Sequence, residues 1–492
     1  MLYFAPAEVS DILPESVTPA RPLPWVALTL FFLISLPAVT VRFYASDEIE
    51  YFAYLRSAWF DGDLLFDNEY RYFYDRNIAR AHRFKEAFLD HTTVTGHRRN
   101  FAPVGSALLW TPFYAMSDAG VRVARLLGAA TPADGFSRPY IAAIAYGSAV
   151  YGFLAFLLSA SAARRLVDTS ATTIAAVWLG TPLLFYMYVA PGFSHACSAF
   201  AVAAFVLVWL RARESWSPRG VVALGALAGL MGMVREQDLF IALGPAIDYC
   251  ATHVRGLRDG RTSIGEALGK AALGTIATAV FFLPQALAYL TLYGRMAPSP
   301  DVQQKMTWSA PNAWRVLASP DNGWFFWTPL AVPALIGLVA LATGAAETAS
   351  RRASSDVSEA ADRRWIGLMC LLMIATQIYV AGSLDTWAGA GSFGQRRLVG
   401  LTIFLVIGLA ALLQIVRQHL PRAALLTVIG IAVWWNIGLT AQFGLNLMDR
   451  RRVEPARNAY NNFVTIPLEL PRLVYRYAFD RGSFYESRRV PP

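Results

Sequence analysis

The sequence predicts an all-α polytopic membrane protein, and three observations support this fold class. Hydrophobic residues make up 55% of the 492 residues, charged residues make up 16%, and the mean hydropathy is +0.39. Apolar runs of about 20 residues recur, and a helix of that length, rising about 1.5 Å per residue, crosses a hydrocarbon layer about 30 Å thick. Most segments between the runs are short. A soluble globular protein of this length would not show this balance.

About eleven transmembrane helices are predicted in order along the chain. The first, 23–43, follows a polar N-terminal segment, 1–22, and lacks the charged start and cleavage site of a signal peptide. A long segment, 45–138, then precedes ten further apolar runs, two of them short: 139–161, 171–189, 195–211, 220–234, 239–252, 267–291, 324–345, 365–382, 398–416 and 423–441. We therefore predict a transmembrane domain over 23–445, followed by a tail over 446–492.

The distribution of Lys and Arg predicts the orientation of these helices. With a cytoplasmic N-terminus, the inner loops hold about 16 of these residues and the short outer loops about six. This bias makes 45–138 the first extracytoplasmic loop and also places the tail outside. The count requires that the apolar patch 101–117 does not cross, and its Pro103, Pro112 and aromatic ends favour an interfacial helix.

The net charge and the use of arginine over lysine indicate where the protein resides in the cell. The formal net charge of +9 is explained by basic inner loops, so we expect membrane lipids as partners and no nucleic acid. Arginine is used far more than lysine, which is a hint of a GC-rich bacterial genome. We therefore predict a multi-pass protein of a bacterial inner membrane with an extracytoplasmic site.

Two adjacent carboxyl groups follow the first apolar run. Asp47 and Glu48 begin an aromatic, helix-forming stretch, YASDEIEYFAYLRSAWFDGD. A carboxylate at a partly dry interface can act as a general base, because burial raises its pKa toward the working pH. Asp47 with Glu50 also fits a capping box that starts an interfacial helix. These residues alone leave a catalytic and a capping role open.

Metal sites have weaker support in the sequence. Residues 61–63 (Asp-Gly-Asp) match the D-x-D pattern of soluble glycosyltransferases, but Gly62 also fits an ordinary helix C-cap. His82, His91 and His97 lack the regular spacing of metal ligands. We expect that no cofactor is required, with a divalent metal as the minor alternative.

Arginines lie in two charged breaks on the predicted outer face. Arg235 stands between two short apolar runs, where a charge near hydrocarbon costs about 2.5–3.5 kcal/mol. It either binds a lipid phosphate or pairs with a neighbouring acid, Glu236 or Asp238. Arg396 and Arg397 end the loop LDTWAGAGSFGQRRLVG, whose glycines suit either close approach to a phosphate or a flexible outer loop.

The predicted topology places these candidates on one face of the membrane. Asp47, 97–103, His195, Arg235 and 385–397 all lie outside, although a lone histidine such as His195 is more often structural than catalytic. A carboxylate facing arginines and glycines across a membrane surface suits a lipid-phosphate substrate.

With these residues in order, the sequence from about 25 to 445 resembles the GT-C class of integral-membrane glycosyltransferases, which includes protein mannosyltransferases and the aminoarabinose transferase of lipid A. The segments that carry the resemblance are SDEIEYFAYLRSAWFDGD, NFAPVGSALLWTPFY, ARRL, GLMGMVREQDL and TWAGAGSFGQRRL. The resemblance implies a hexosyl- or pentosyltransferase that moves a sugar from a polyprenyl-phosphate donor to an acceptor hydroxyl, with inversion. The acceptor would be a cell-envelope glycan, lipid or protein.

The resemblance also implies roles for individual residues. Asp47 would be the general base, and Glu48 would position or tune it. The donor phosphate, whose charge grows as it departs, would be bound by Arg56, Arg235, Arg396 and Arg397. The acceptor or the donor sugar would be bound by His97, Arg99, His195, Asp385 and Gln395.

Some features depart from that class, and other functions remain open. Glu50 stands where relatives often have arginine, and no lysine precedes Pro103, so phosphate binding there would fall to Arg98 or Arg99. The tail, with nine arginines, matches no known pattern. The main alternative is a lipid-linked-sugar flippase or transporter, and a second is a non-catalytic assembly protein. Transporters tend to place charges near the midplane in two related halves, which favours the transferase here.

Overall fold

A computed structural model describes residues 25–78, 84–309, 311–348 and 357–480. Within these ranges the chain forms helices, connected by turns and loops, and two isolated β-bridges, Thr92 with Arg98 and Met306 with Leu384. The all-helical architecture predicted from the sequence is therefore confirmed. The N-terminal segment 1–22, His82 and the end of the tail lie outside the described residues.

The first apolar helix and the long loop after it contain four helices. These are α1 (Trp25–Ser35), α2 (Ser46–Arg56), α3 (Asp67–Asp75) and α4 (Gly105–Leu126). Helix α2 is enclosed on nearly all sides, because Ile49, Phe52 and Ala53 have no exposed surface. The apolar patch 101–117 becomes the first part of α4, which buries Trp110 against its neighbours. Its interfacial location stays a prediction.

The membrane region continues with fifteen labelled helices in the described residues. They are α5 (Arg138–Leu166), α6 (Ala171–Leu179), α7 (Leu183–Tyr188), α8 (His195–Ala212), α9 (Pro218–Val234), α10 (Leu243–Arg258), α11 (Ile264–Tyr293), α12 (Pro300–Gln303), α13 (Ala313–Ala318), α14 (Trp324–Trp327), α15 (Ala331–Thr343), α16 (Ala345–Thr348), α17 (Val357–Gly382), α18 (Thr402–Val416) and α19 (Arg422–Leu445).

Within the described ranges, six helical segments are long and apolar enough to cross a membrane, as in a polytopic membrane protein. They are α5, α8, α11, α17, α18 with the turn before it, and α19, whereas α1, α9 and α15 are shorter apolar helices. The predicted number of about eleven transmembrane helices is not established and stays a prediction.

Turns divide or border several of the apolar runs, including 171–189, 220–234 and 398–416. The run 171–189 breaks at Gly180–Pro182, where proline supplies no backbone N–H, and continues as α7. Helix α9 ends at Arg235, whose extended backbone (φ −152°) leads into the 3₁₀ turn Glu236–Ala242 before α10. A second 3₁₀ turn, Arg396–Leu401, precedes α18. The two breaks that carry arginine meet at one end of the bundle.

Small residues set the closest helix contacts. A Cβ added at Gly225 of α9 would lie 2.2 Å from the carbonyl oxygen of Gly274 in α11. One added at Gly337 of α15 would lie 1.8 Å from the carbonyl oxygen of Gly408 in α18. Because lipid is as apolar as the helices, such close backbone packing is a main source of helix association. Helices α8 and α18 are the most buried of the six candidate membrane-spanning segments in the described ranges.

The tail returns along α19 as α20 (Pro455–Tyr460), a π turn (Asn461–Thr465) and α21 (Ile466–Phe479). Asn458 Nδ2 donates to Gln442 Oε1 over 2.8 Å, and Trp434 Nε1 donates to the carbonyl oxygen of Asn462 over 2.9 Å. Trp434 lies eleven residues before the end of α19, about 16 Å along its axis. The tail is thus packed against the bundle, and its extracytoplasmic location stays a prediction.

Candidate functional site

A partly open cavity of about 340 Å³ lies where the start of α2 meets the two arginine-containing breaks. Its lining has a polar, charged part and an apolar part made of aromatic and aliphatic side chains. The lining residues are Asp47, Tyr51, Phe101, Pro103, Phe193, His195, Arg235, Glu236, Gln237, Phe240, Pro298, Val302, Gln303, Met306, Trp308, Val380, Leu384, Arg396 and Arg397.

An ion pair between Asp47 and Arg396 joins distant parts of the chain at this cavity. Arg396 Nη1 donates to Asp47 Oδ2 over 2.6 Å, and the two side chains are 19% and 38% exposed, respectively. Burial raises the pKa of Asp47, but Arg396, Arg235 and Arg397 outweigh burial, so the pKa lies below its usual value. Asp47 is therefore a carboxylate at neutral pH.

Arg235 turns toward the start of α8. Its Nη1 lies 2.9 Å from His195 Nδ1 and 3.4 Å from Ser194 Oγ, which in turn donates to the Tyr51 hydroxyl over 2.9 Å. Because arginine can only donate, His195 Nδ1 must accept, which assigns the ring proton to Nε2. That nitrogen is buried and has no acceptor among the described residues. His195 therefore offers an unused hydrogen-bond donor.

Arg397 ties the glycine-containing loop to the break at Arg235. Its Nη2 donates to Thr386 Oγ1 over 2.8 Å, and Gln237 Nε2 donates to its carbonyl oxygen over 2.6 Å. The loop takes left-handed backbone at Gly389, Gly391 and Gly394 (φ 72°, 82° and 65°), which side chains with a Cβ rarely adopt. The Nε atoms of Arg235 and Arg397 are buried and unpaired within the described part of the chain.

Glu48 and Glu50 have structural contacts. Glu48 has no exposed surface, and its Oε2 accepts from the backbone N–H groups of Tyr44 (2.6 Å) and Ala45 (3.1 Å). Glu50 Oε2 instead accepts from the N–H of Phe101 over 2.7 Å. The capping box of Asp47 with Glu50 is therefore wrong, because Glu48 caps the helix that begins at Ser46. Burial raises the pKa of each glutamate to about 8, so both are largely neutral at pH 7.

The structure does not bring Arg56 to the cavity. It lies at the far end of α2, is 8% exposed, and pairs with Asp61 and, over 3.0 Å, with Glu69. Its guanidinium also stacks 4.4 Å from the ring centroid of Phe136. With both acidic partners already in place, it has no opening toward a donor phosphate.

The other residues assigned to sugar binding also lie outside the lining. His97 Nδ1 is 3.0 Å from Thr95 Oγ1, and Arg99 pairs with Asp301 over 3.3 Å. Asp385 follows the bridge between Met306 and Leu384, and Gln395 is 1% exposed and donates to backbone carbonyl oxygens. Of the five residues assigned to sugar binding, His195 lines the cavity.

Both carboxylates of the D-x-D tripeptide bind other side chains of the protein. Asp61 pairs with Arg56, and Asp63 Oδ1 accepts from Ser57 Oγ over 2.7 Å. Gly62 has a φ of 73° and ends the π turn that follows α2, as an ordinary C-cap does. No group of three or more His, Cys, Asp or Glu side chains in the described ranges is placed to hold a metal ion.

Sequence reasoning missed several contributors to the cavity, among them Glu236, Gln237 and Trp308. Glu236 was expected at most as a partner of Arg235, but its Oε1 is buried and accepts no hydrogen bond from the described residues. Burial raises its pKa to about 7. Gln237 lies in the same charged break, which is the signal that pointed to Arg235. Trp308 comes from a loop whose position depends on its pairing with 383–385, and no local pattern indicates that pairing.

No protein-family model matches this chain, and no curated protein has a sequence that matches it. The chemistry of the site is therefore argued from its own side chains. Three guanidinium groups, those of Arg235, Arg396 and Arg397, accompany one ionised carboxylate, Asp47, in the cavity. This surplus of positive charge, with unused N–H donors, suits an anionic ligand.

Proposed function

We propose that this protein is a membrane glycosyltransferase. It moves a sugar from a polyprenyl-phosphate donor to an acceptor hydroxyl at the outer face of a bacterial inner membrane and inverts the anomeric configuration. The observation that carries the proposal is the set of three arginines around Asp47 in a cavity with one apolar side. The acceptor is a glycan, lipid or protein of the cell envelope.

The charge in the cavity suits the departure of a lipid phosphate. A phosphodiester donor carries one negative charge, and the released phosphate monoester gains a second. Arg235, Arg396 and Arg397 would interact more strongly with the departing phosphate than with the bound donor, which lowers the barrier. The unused Nε donors of Arg235 and Arg397 add directional hydrogen bonds to that attraction.

Asp47 takes the acceptor proton in the proposed reaction. The acceptor oxygen attacks the anomeric carbon, the bond between that carbon and the phosphate oxygen breaks on the opposite side, and the hydroxyl proton moves to Asp47. The ion pair with Arg396 makes Asp47 a weak base. A donor phosphate competes for Arg396, so its binding releases the carboxylate and raises its pKa.

The apolar side of the cavity suits the first part of a polyprenyl chain. It is formed by Phe240, Met306, Trp308, Val380 and Leu384. Phe240 and Trp308 are each 44% exposed, and their ring centroids lie 5.9 Å apart. A chain leaving along these side chains would pass directly from the arginines to the lipid.

A reconstituted transfer assay tests the proposal. Liposomes with the purified protein receive a polyprenyl phosphate carrying a labelled hexose and a cell-envelope extract, with and without EDTA. Wild-type protein should release polyprenyl phosphate and label an acceptor, and activity that survives EDTA would fit the expected independence from metal. Asp47→Asn should lose at least about 100-fold in turnover. Asp67→Asn is the matched control, because Asp67 pairs with Arg98 outside the cavity.

Two results would contradict the proposal. The first is wild-type turnover in Asp47→Asn. The second is movement of labelled lipid between leaflets without any transfer to an acceptor, which would identify a flippase.

A further inference from the structure

Glu236 places a second carboxyl group in the cavity. Its side chain forms no ion pair or hydrogen bond with the described residues, and its Oε1 is buried. A buried polar atom without a partner costs about 1–3 kcal/mol, so native proteins seldom keep one without a reason. The unpaired Oε1 of Glu236 therefore indicates a partner outside the described residues.

The backbone at the break separates Glu236 from Arg235. Arg235 has extended backbone, with φ −152° and ψ 115°, and its guanidinium reaches His195 and Ser194. Glu236 is the first residue of the following 3₁₀ turn. Arg235 therefore binds partners other than Glu236, although a direct pair between these adjacent residues would be the simplest arrangement on a flexible loop.

The chemistry of the missing partner is restricted by charge. The ionised form of Glu236 repels phosphate, so the part of a ligand at Glu236 is not the anionic part. That part must carry hydrogen-bond donors. Tyr54 Oη, whose nearest ionisable neighbours include Glu50 and Glu236, is also buried without a partner among the described residues.

Aromatic side chains accompany Glu236 along the cavity wall. Phe240 lies four residues later in the same 3₁₀ turn, and the ring of Trp308 lies 5.9 Å from it. Aromatic faces cover the C–H faces of a sugar ring, while carboxyl oxygens accept from its hydroxyls. Because Glu236 and these rings line one cavity, the lining suits a sugar as well as the first part of a lipid chain.

We propose that Glu236 accepts a hydrogen bond from a hydroxyl of the sugar that the donor carries, and so forms the sugar-selecting end of the cavity. This inference rests on the proposed function. It divides the cavity between a phosphate end, formed by Arg235, Arg396 and Arg397, and a sugar end at Glu236.

Binding of two lipids to variant proteins tests this division. The probes are a polyprenyl phosphate without sugar and the same lipid carrying one hexose, measured on the full-length protein in detergent. Glu236→Ala should weaken binding of the hexose-carrying lipid about 10- to 100-fold and leave binding of the sugar-free lipid within about twofold. Glu236→Gln keeps one carbonyl oxygen and should show a smaller loss. Arg396→Gln should weaken binding of both lipids.

A series of donors that each lack one hydroxyl identifies the partner of Glu236. The donor that lacks the hydroxyl bound by Glu236 should bind wild-type protein as weakly as the intact donor binds Glu236→Ala. Glu236→Ala should bind this donor and the intact donor equally well. Equal losses for both lipids, or no loss for either, would overturn the inference but leave the proposed function intact. A loss of kcat with unchanged KM would also overturn it, because it would place Glu236 in proton transfer. Wild-type protein that binds neither lipid would remove the proposed function and the inference together.

Discussion

Replacing Asp47 with asparagine should have opposite effects on donor binding and on turnover. The carboxylate is paired with Arg396 and lies among the cavity arginines. Asparagine has nearly the same shape but no charge, so a phosphate no longer competes with an anion for Arg396. We therefore expect tighter binding of the lipid phosphate and loss of sugar transfer, because asparagine cannot accept the proton.

The size of the binding effect follows from Coulomb's law. A phosphate that shares Arg396 would lie about 5 Å from the Asp47 carboxylate, and two unit charges at that distance repel by about 3 kcal/mol at an effective dielectric constant of about 20. Asp47 is 38% exposed, so solvent screens part of this repulsion. We expect about 1–2 kcal/mol, which is a dissociation constant about 5- to 30-fold lower for Asp47→Asn.

The assay is the dissociation constant of the hexose-carrying polyprenyl phosphate, whose diester holds one negative charge, measured without acceptor at pH 7 and at a fixed salt concentration. Asp67→Asn, which removes the partner of Arg98 away from the cavity, controls for a general change in net charge. Because the pKa of Asp47 is lowered, the wild-type carboxylate is ionised at pH 7 and the difference is fully present. The difference should shrink as the pH falls toward that pKa. Weaker binding by Asp47→Asn would refute the reasoning, because it would show that the carboxylate helps to hold the ligand.

Three further predictions follow from the contacts around α2. Arg396→Gln and Arg98→Gln each remove a charge-assisted pair whose carboxylate is partly screened by solvent, so each should lower the free energy of unfolding in detergent by about 0.5–1.5 kcal/mol. Arg396→Gln alone should also weaken lipid-phosphate binding. Thermal stability should fall as the pH rises from about 5 through about 8, because folded Glu48 holds a proton that the unfolded chain releases near its ordinary pKa of 4.5. Glu48→Gln should flatten this pH profile. An unchanged profile would contradict the raised pKa of Glu48. Gly192→Ala places a Cβ 2.8 Å from the Glu48 carboxyl, so it should lower both thermal stability and turnover, whereas Gly430→Ala, with open space around it, should change neither.

From the sequence, the segments that come together were easier to predict than the side chains that face the cavity. Asp47, Arg235 and Arg396 come together, as expected from charged residues at breaks on one predicted face. Arg56 was assigned to the same site because it lies in the same segment as Asp47. The two residues are nine positions apart on one helix, about 14 Å, so they reach different surroundings. Only the tertiary structure shows which surroundings each side chain on this helix reaches.

The helix count and the tail show a second limit of sequence patterns. Hydropathy does not distinguish one long helix from two short ones, and the break at Gly180–Pro182 divides a run that was predicted to cross as one helix. The return of the tail along α19 depends on hydrogen bonds between side-chain amides, including those of Gln442 and Asn458. These residues are too far apart in sequence for a local pattern to indicate their pairing. Such partners are selected by packing, because an unpaired amide in an apolar region is costly.

The breaks themselves explain why the candidate site forms where it does. A helix end leaves backbone groups without intrahelical partners, and inside a membrane protein these groups must find side chains or a ligand. Gln377 Nε2 donates to the carbonyl oxygen of Gln237 over 2.7 Å, and Gln237 Nε2 donates to that of Arg397 over 2.6 Å. These uncharged amides fix both arginine-containing breaks to each other and to α17. The arginines are therefore held close together by groups that carry no charge of their own, which leaves their positive charge for Asp47 and for a bound anion.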